Sequence, residues 1–306
     1  MEYQISREQL LKWCTVPHGE LAAHPDSKID RIDMLPTKAA TMAHIGDMMA
    51  EEVIKNNSLG RPTKWILPAG PLEEYETFCH RVNEERISLT NLYVFHMDEW
   101  LDWQGRPYPV RYAYNSLRGI MEHDFYGKID PALSVPADHR IWPSVNDVDY
   151  FDRKVEELGG IDTVWAGIGF KGLIAFCESP RDPYHRVTID EFAQSRTRIV
   201  HINPDTIVAL AEREAGGCTD AIPPMAITLG FRSILTAKRI VFMITTGRWK
   251  QTVIRVLMFS EPTLEYPVTL LVDRIPEKIL CCDEFTATHP MESDSGFYAA
   301  ELGGVL

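Results

Sequence analysis

IDTVWAGIGFKGLIAFCES (residues 161–179) carries an apolar segment straight into a loop with glycine at 167, 169 and 172. Ile161–Gly169 reads as a buried strand and its exit. Glycines clustered at a strand end clear room, either for a ligand or for a close stretch of backbone. Polar, reactive neighbours are expected beside such a clearing. This loop instead offers Phe170, Lys171, Leu173 and Cys177.

Four further apolar segments read as strands: KWILPAG (64–70), LTNLYVFHMDEW (89–100), RIVFMITTG (239–247) and KILCCDE (278–284). Helical spacing of apolar residues marks 37–57, 73–85 and 249–258 between them. Strands alternating with helices predict an α/β fold, a largely parallel sheet flanked by helices in a Rossmann-like open arrangement. Ligands in such sheets bind beyond the carboxyl ends of the strands. The endings LPAG, FHMDEW, GIGFKG and TTGRWK are therefore the expected walls of one pocket. Residues 101–150, rich in Pro, Tyr and Asp, read as loops with a short helix. The expected organisation is a helical N-terminal extension over 1–34 and a single α/β domain over 35–306.

The 306 residues carry 31 basic and 44 acidic side chains, a formal charge of −13. That balance argues against nucleic acid or an anionic membrane as partner. No apolar run approaches the ~18–20 residues of a membrane span, and MEYQISREQLLKW lacks the apolar core of a signal peptide. The six cysteines (14, 79, 177, 218, 281, 282) show no metal-type spacing, and adjacent Cys281 and Cys282 should face opposite sides of a strand. Free thiols in the cytoplasm, with no metal and no cofactor, are expected.

Several residues at the strand ends can carry chemistry. Asp98 or Glu99, following LYVF, can act as a general base, or both can be solvated or cap the next helix. Glu178 is a second acid or base, or a group that orients one. Lys250 at a helix start can bind an anion, or be plain surface charge. Lys171 is a Schiff-base candidate only if strongly desolvated. His96 either faces the site or fills core, Cys177 reads as a small buried hydrophobe, and His185 sits in a polar loop, RDPYHR.

These endings, in this order, resemble the glucosamine-6-phosphate deaminase (isomerase) family, whose wider fold group includes 6-phosphogluconolactonase. The resemblance covers roughly residues 35–285. It rests on LPAG for the family's LPTGGTP, FHMDEW for FNMDEY, GIGFKGLIAFCES for GVGNDGHIAFNEP, SRTRI (195–199) and CDE (282–284). It implies conversion of an amino-sugar phosphate to a keto-sugar phosphate and ammonia, by ring opening and then proton transfer between C2 and C1. By position, Asp98 matches the proton-shuttling carboxylate, with Glu99 beside it. Glu178 matches the glutamate supporting the ring-opening histidine, and Lys250 and Arg213 match phosphate-binding residues. Gly70, Gly169, Phe170 and Gly172 fall on the substrate-binding loops, and the resemblance also implies a homo-oligomer.

The departures fall at the ring-opening residues. The family's Asp-Gly-His is Lys171-Gly172-Leu173 here, and leucine can neither accept nor donate a proton. Cys177 and Phe170 replace asparagines. The phosphate turn is shortened to Ala69-Gly70-Pro71, where Pro71 has no N–H to donate, and Glu73 and Glu74 add negative charge. Two expectations follow. One is an enzyme for a carbohydrate, phosphorylated or not, that retains Asp98 for proton transfer, with ring opening either unnecessary or done by another group. The other is a non-catalytic relative that binds a sugar or sugar phosphate. A lactonase-like hydrolase is disfavoured, since that branch also uses a histidine where Leu173 stands.

Overall fold

The computed structural model describes residues 4–70, 73–111, 115–182 and 184–292. Among the described residues, ten strands form two sheets: β1 (Arg31–Leu35), β2 (Thr63–Leu67), β3 (Leu92–His96), β4 (Asp98–Leu101), β5 (Arg140–Ile141), β6 (Thr163–Gly167), β7 (Arg198–His201), β8 (Met225–Thr228), β9 (Arg239–Ile244) and β10 (Glu277–Asp283). The main sheet runs β1-β10-β9-β6-β2-β3-β5, and every pairing in it is parallel. The smaller sheet, β4-β8-β7, is antiparallel.

Two-residue alternation sends each central strand's side chains into two cores. Trp65, Leu67, Val241, Met243, Ile279 and Cys281 pack beneath helices Lys38–Ser58 and Glu73–Glu84. Ile66, Val164, Ile240, Phe242, Leu280 and Cys282 pack on the other face, with helices Tyr150–Glu157 and Gln251–Phe259. The adjacent cysteines 281 and 282 do face opposite cores. Each such buried large apolar side chain contributes about 1.5–3 kcal/mol, and these strands are buried on both faces.

The helix Lys38–Ser58 begins at Thr37, whose side chain accepts the N–H of Ala40. Near the N-terminus, helix Arg7–Cys14 lays Trp13 near Phe259 (ring centroids 6.4 Å apart). Strand β1 runs across the boundary drawn at residue 34 and enters the main sheet as an edge strand.

The segment 89–100 differs most from the single strand expected there. It breaks at Met97 into β3, in the main sheet, and β4, in the small one. The Met97 N–H donates to the Leu67 carbonyl (3.1 Å), while the Met97 carbonyl accepts the Leu229 N–H (2.9 Å). Met97 thus hydrogen-bonds toward β2 on one side and toward the end of β8 on the other. This joint places Asp98 at the carboxyl ends of the main strands.

Candidate active site

A cleft of about 360 Å³ opens at the carboxyl ends of β2, β6 and β9 and beside the β3–β4 joint. Its walls include Ala69 and Gly70 after β2, Asp98, Gly169 and Leu173 after β6, and Thr245 and Lys250 after β9. Arg213 reaches it from the last turn of helix Pro204–Glu214. Pro71 and Leu72 lie outside the described residues.

Asp98 opens β4 directly across from Thr228 of β8. Alternation along β4 turns Asp98 and Trp100 into the cleft and Glu99 away from it. Burial is the main influence on the Asp98 carboxyl, and the negative charge of Glu99 adds to it. Together they push its pKa from 3.8 up to about 8. A carboxyl in that range can hold or release a proton near neutral pH, as a general acid–base group must.

Lys250 ends a 3-10 turn, Gly247–Lys250, that leads from β9 into helix Gln251–Phe259. Its ammonium is buried and donates to the carbonyl of Ile168 at the end of β6. Burial, reinforced by the Arg213 guanidinium, pulls its pKa down to about 7. Beside it, the buried side-chain hydroxyls of Thr245 and Thr246 have no hydrogen-bond partner among the described residues. A buried hydroxyl without a partner costs about 1–3 kcal/mol, which an oxygen-rich ligand would relieve. The TTGRWK ending thus brings its two threonines to the cleft as well as its lysine. Paired threonines at a strand's carboxyl end were the available signal.

The other expected site residues lie elsewhere. Glu99 accepts the backbone N–H groups of Leu117 (2.8 Å), Arg118 (2.9 Å) and Trp100 (2.9 Å), capping helix Leu117–Asp124. Burial still raises its pKa against these bonds. Glu178 accepts the Asn203 N–H (2.6 Å) and the Thr206 hydroxyl at the start of helix Pro204–Glu214. Its pKa too is raised by burial. These two glutamates satisfy the free N–H groups of helix N-termini.

His96 is enclosed away from the cleft. It stacks on Trp142 (centroids 3.5 Å, 7° between planes) and its Nε2 meets the Tyr126 hydroxyl at 2.8 Å. Burial lowers its pKa well below the ordinary value, so it is held neutral. The Lys171 Nζ lies over the Tyr266 ring at 4.7 Å, a cation–π contact outside the cleft. Phe170 sets its ring edge-on to Trp249 (5.6 Å). Cys177 donates its thiol to the Leu229 carbonyl (3.0 Å), and burial raises its pKa. His185 lies in a loop outside the cleft.

The glycines of this loop are explained by close packing. Gly172 has φ +70°, and a Cβ there would also crowd Tyr266 and Val268 at 3.0–3.1 Å. A Cβ on Gly169 would stand 2.4 Å from the Leu173 side chain. Gly169 donates to the Leu173 carbonyl (2.8 Å), closing a tight loop. Ala175 on the cleft wall has φ +50°, a strained conformation for a non-glycine residue. Leu173, where the resemblance has the ring-opening histidine, is itself a cleft wall.

No family model matches the chain. It is similar to the glucosamine-6-phosphate deaminase of Caenorhabditis elegans, 33% identical over 183 residues, 58% of this chain and 62% of that protein. The chain thus aligns with less than two thirds of the worm protein's length. The Bacillus pumilus glucosamine-6-phosphate deaminase is 28% identical over 67% of this chain and 81% of its own. Among solved structures, a monomeric glucosamine-6-phosphate deaminase superposes with a TM-score of 0.67 at 22% identity, covering 84% of this chain and 98% of that one. The 6-phosphogluconolactonase of Trypanosoma cruzi gives 0.61 at 17% identity, over 86% and 98%. The resemblance in sequence and the parallel α/β fold therefore both hold.

Proposed function

We propose that this protein is a cytoplasmic enzyme acting on a sugar phosphate in its open-chain form, with Asp98 moving a proton next to a carbonyl. The observation that carries this reading is the convergence, in one cleft, of the raised Asp98 carboxyl, the depressed Lys250 ammonium and two unpartnered threonine hydroxyls. Environments that push an acid up and a base down mark groups set for proton transfer and charge recognition. The relatives named glucosamine-6-phosphate deaminase support the substrate class.

In this reading the phosphate dianion docks at Lys250, Arg213, Thr245 and Thr246. Asp98, deprotonated, removes a proton from the carbon next to the carbonyl, forming an enediol-type intermediate, and returns it to the neighbouring carbon. With a 2-amino sugar the same shift leaves an imine, which water hydrolyses to ketose and ammonia. Ring opening has no acid–base group at Leu173, so the substrate enters acyclic.

A second reading, a sugar-phosphate binder without turnover, is favoured by Glu178, whose carboxylate is committed to a helix start. One experiment separates the two. The protein is incubated in D2O with fructose 6-phosphate, glucosamine 6-phosphate and a tetrose 4-phosphate, which cannot cyclise, and followed by NMR. Deuterium entering beside the carbonyl of the tetrose phosphate, and not with Asp98→Asn, supports the enzyme. Ligand-induced thermal stabilisation with no exchange in the wild type selects the binder.

A further inference from the structure

The β1–β10 edge of the main sheet holds a cluster that plays no part in the cleft. Parallel pairing of β1 with β10 places Asp33 and Cys281 side by side in register, so their side chains leave the sheet on the same face. Helix Lys38–Ser58 crosses that face and presents His44 and Met48, four residues apart and hence neighbours along its surface. The His44 Nε2 stands 2.9 Å from the Asp33 carboxylate, and the Met48 sulfur 3.9 Å from the Cys281 sulfur. One donor atom each from Asp33, His44 and Cys281 lies within 4.8 Å of the other two.

We propose that Asp33, His44 and Cys281 form a structural zinc site that fastens the edge strand β1 to β10 and to the helix above them. A carboxylate oxygen, an imidazole nitrogen and a thiolate are all ordinary Zn²⁺ ligands. Tetrahedral bonds of about 2.0–2.3 Å set donors about 3.3–3.8 Å apart, so the three need to contract by about 1 Å. His44 is partly exposed and can make that shift. Water fills the fourth position. Met48 packs against the thiolate as an apolar shield, since a thioether is a soft ligand better suited to Cu(I).

Arg31 also bonds the Asp33 carboxylate (2.8 Å), and it is half exposed. It can remain as an outer partner that orients the carboxylate on the metal. On binding, the Cys281 S–H bond breaks, its proton leaves to solvent and the sulfur pair forms the Zn–S bond. With one thiolate and one carboxylate, the bound ion is charge-neutral. His44 and Met48 also line a cavity of about 680 Å³ at the amino ends of β2, β6 and β9, which gives the ion a route in. The cysteine spacing could not have disclosed this site, because its ligands come from three elements far apart in the chain.

The test uses the full-length protein, stripped with a chelator and titrated separately with Zn²⁺ and Co²⁺. The expected result is one ion per chain, a near-ultraviolet thiolate-to-cobalt charge-transfer band, and a Tm raised by Zn²⁺. Cys281→Ser should abolish the band. His44→Gln, at a partly exposed position that tolerates change, should weaken Zn²⁺ binding by ~10–100-fold or more. Failure to saturate at one ion per chain overturns the proposal. So does a cobalt band that survives in Cys281→Ser, which would place the thiolate elsewhere, or Zn²⁺ binding unchanged in His44→Gln.

Discussion

Glu178 accepts the backbone N–H of Asn203 at 2.6 Å and so caps the helix that carries Arg213 into the cleft. A glutamate that the family resemblance assigns to the support of a histidine is here bound to a helix start. Glu178→Ala should lower stability by about 1–2 kcal/mol, the scale of a lost cap, and should also loosen Arg213. Thermal unfolding together with a KM raised severalfold at little-changed kcat checks this. A collapse of kcat alone would return Glu178 to the chemistry.

Asp98→Asn separates stability from catalysis. An acid whose pKa rises from 3.8 to about 8 on folding holds its proton more tightly when folded. Its penalty is absent below pH ~4 and grows as the pH rises toward 8, where it reaches roughly 5 kcal/mol at most. The substitution should therefore raise Tm more at pH 8.5 than at pH 5, while cutting turnover ~10²–10⁴-fold. Melting curves at the two pH values, set beside an exchange assay, read both effects.

The pH dependence of kcat/KM should be bell-shaped. Asp98 must be deprotonated to act as a base, which favours pH above about 8, and Lys250 must be charged to hold phosphate, which favours pH below about 7. The maximum should fall near pH ~7.5, with only a minority of the enzyme correctly protonated at any pH. The alkaline limb should disappear for a substrate without phosphate, or in Lys250→Met.

Phosphate binding should also be coupled to proton uptake. Above pH ~7 Lys250 is largely neutral in the free protein, and a bound dianion raises its pKa again. Calorimetric titration with a sugar phosphate at pH 8, in buffers of different ionisation enthalpy, should show up to about one proton taken up per ligand. Lys250→Met should abolish that uptake.

Leu173→His alone should not release ammonia from glucosamine 6-phosphate in its ring form. The new imidazole would find Glu178 engaged with Asn203 and Thr206, and Lys171 in place of the family's aspartate. An ammonia assay is sufficient. Clear turnover would show that the capping glutamate can be recruited.

The central strands were legible because each is an unbroken apolar run, buried on both faces. β5, β7 and β8 were not, since they are two to four residues long, and neither was β1, an edge strand whose residues are exposed or only partly buried. In β7 exposed and partly buried residues alternate, which leaves no continuous run to see. The helix at 38–58 and the break after it followed from spacing alone. The turn at Met97 was hidden because both of its hydrogen-bond partners, Leu67 and Leu229, are remote in sequence. The same remoteness hid the true partners of Glu99, Glu178 and His96. A sequence shows that a carboxylate or a histidine stands at a strand end, but the side to which it turns depends on a strand register that no local pattern records.

Met97 is also a point of mechanical independence. Its two backbone hydrogen bonds tie it to segments of both sheets, and Asp98 follows immediately in the antiparallel ladder. The carboxylate is therefore surveyed from two fixed benchmarks, neither of them in the 167–179 loop. Rewriting the Gly169–Leu173 tip of that loop changes what lies opposite the carboxylate and leaves both bonds at Met97 in place, while the far end of the loop, through Phe176 and Cys177, stays tied to Thr228 and Leu229. One wall of the cleft can be refitted for a new guest while the other keeps its coordinates.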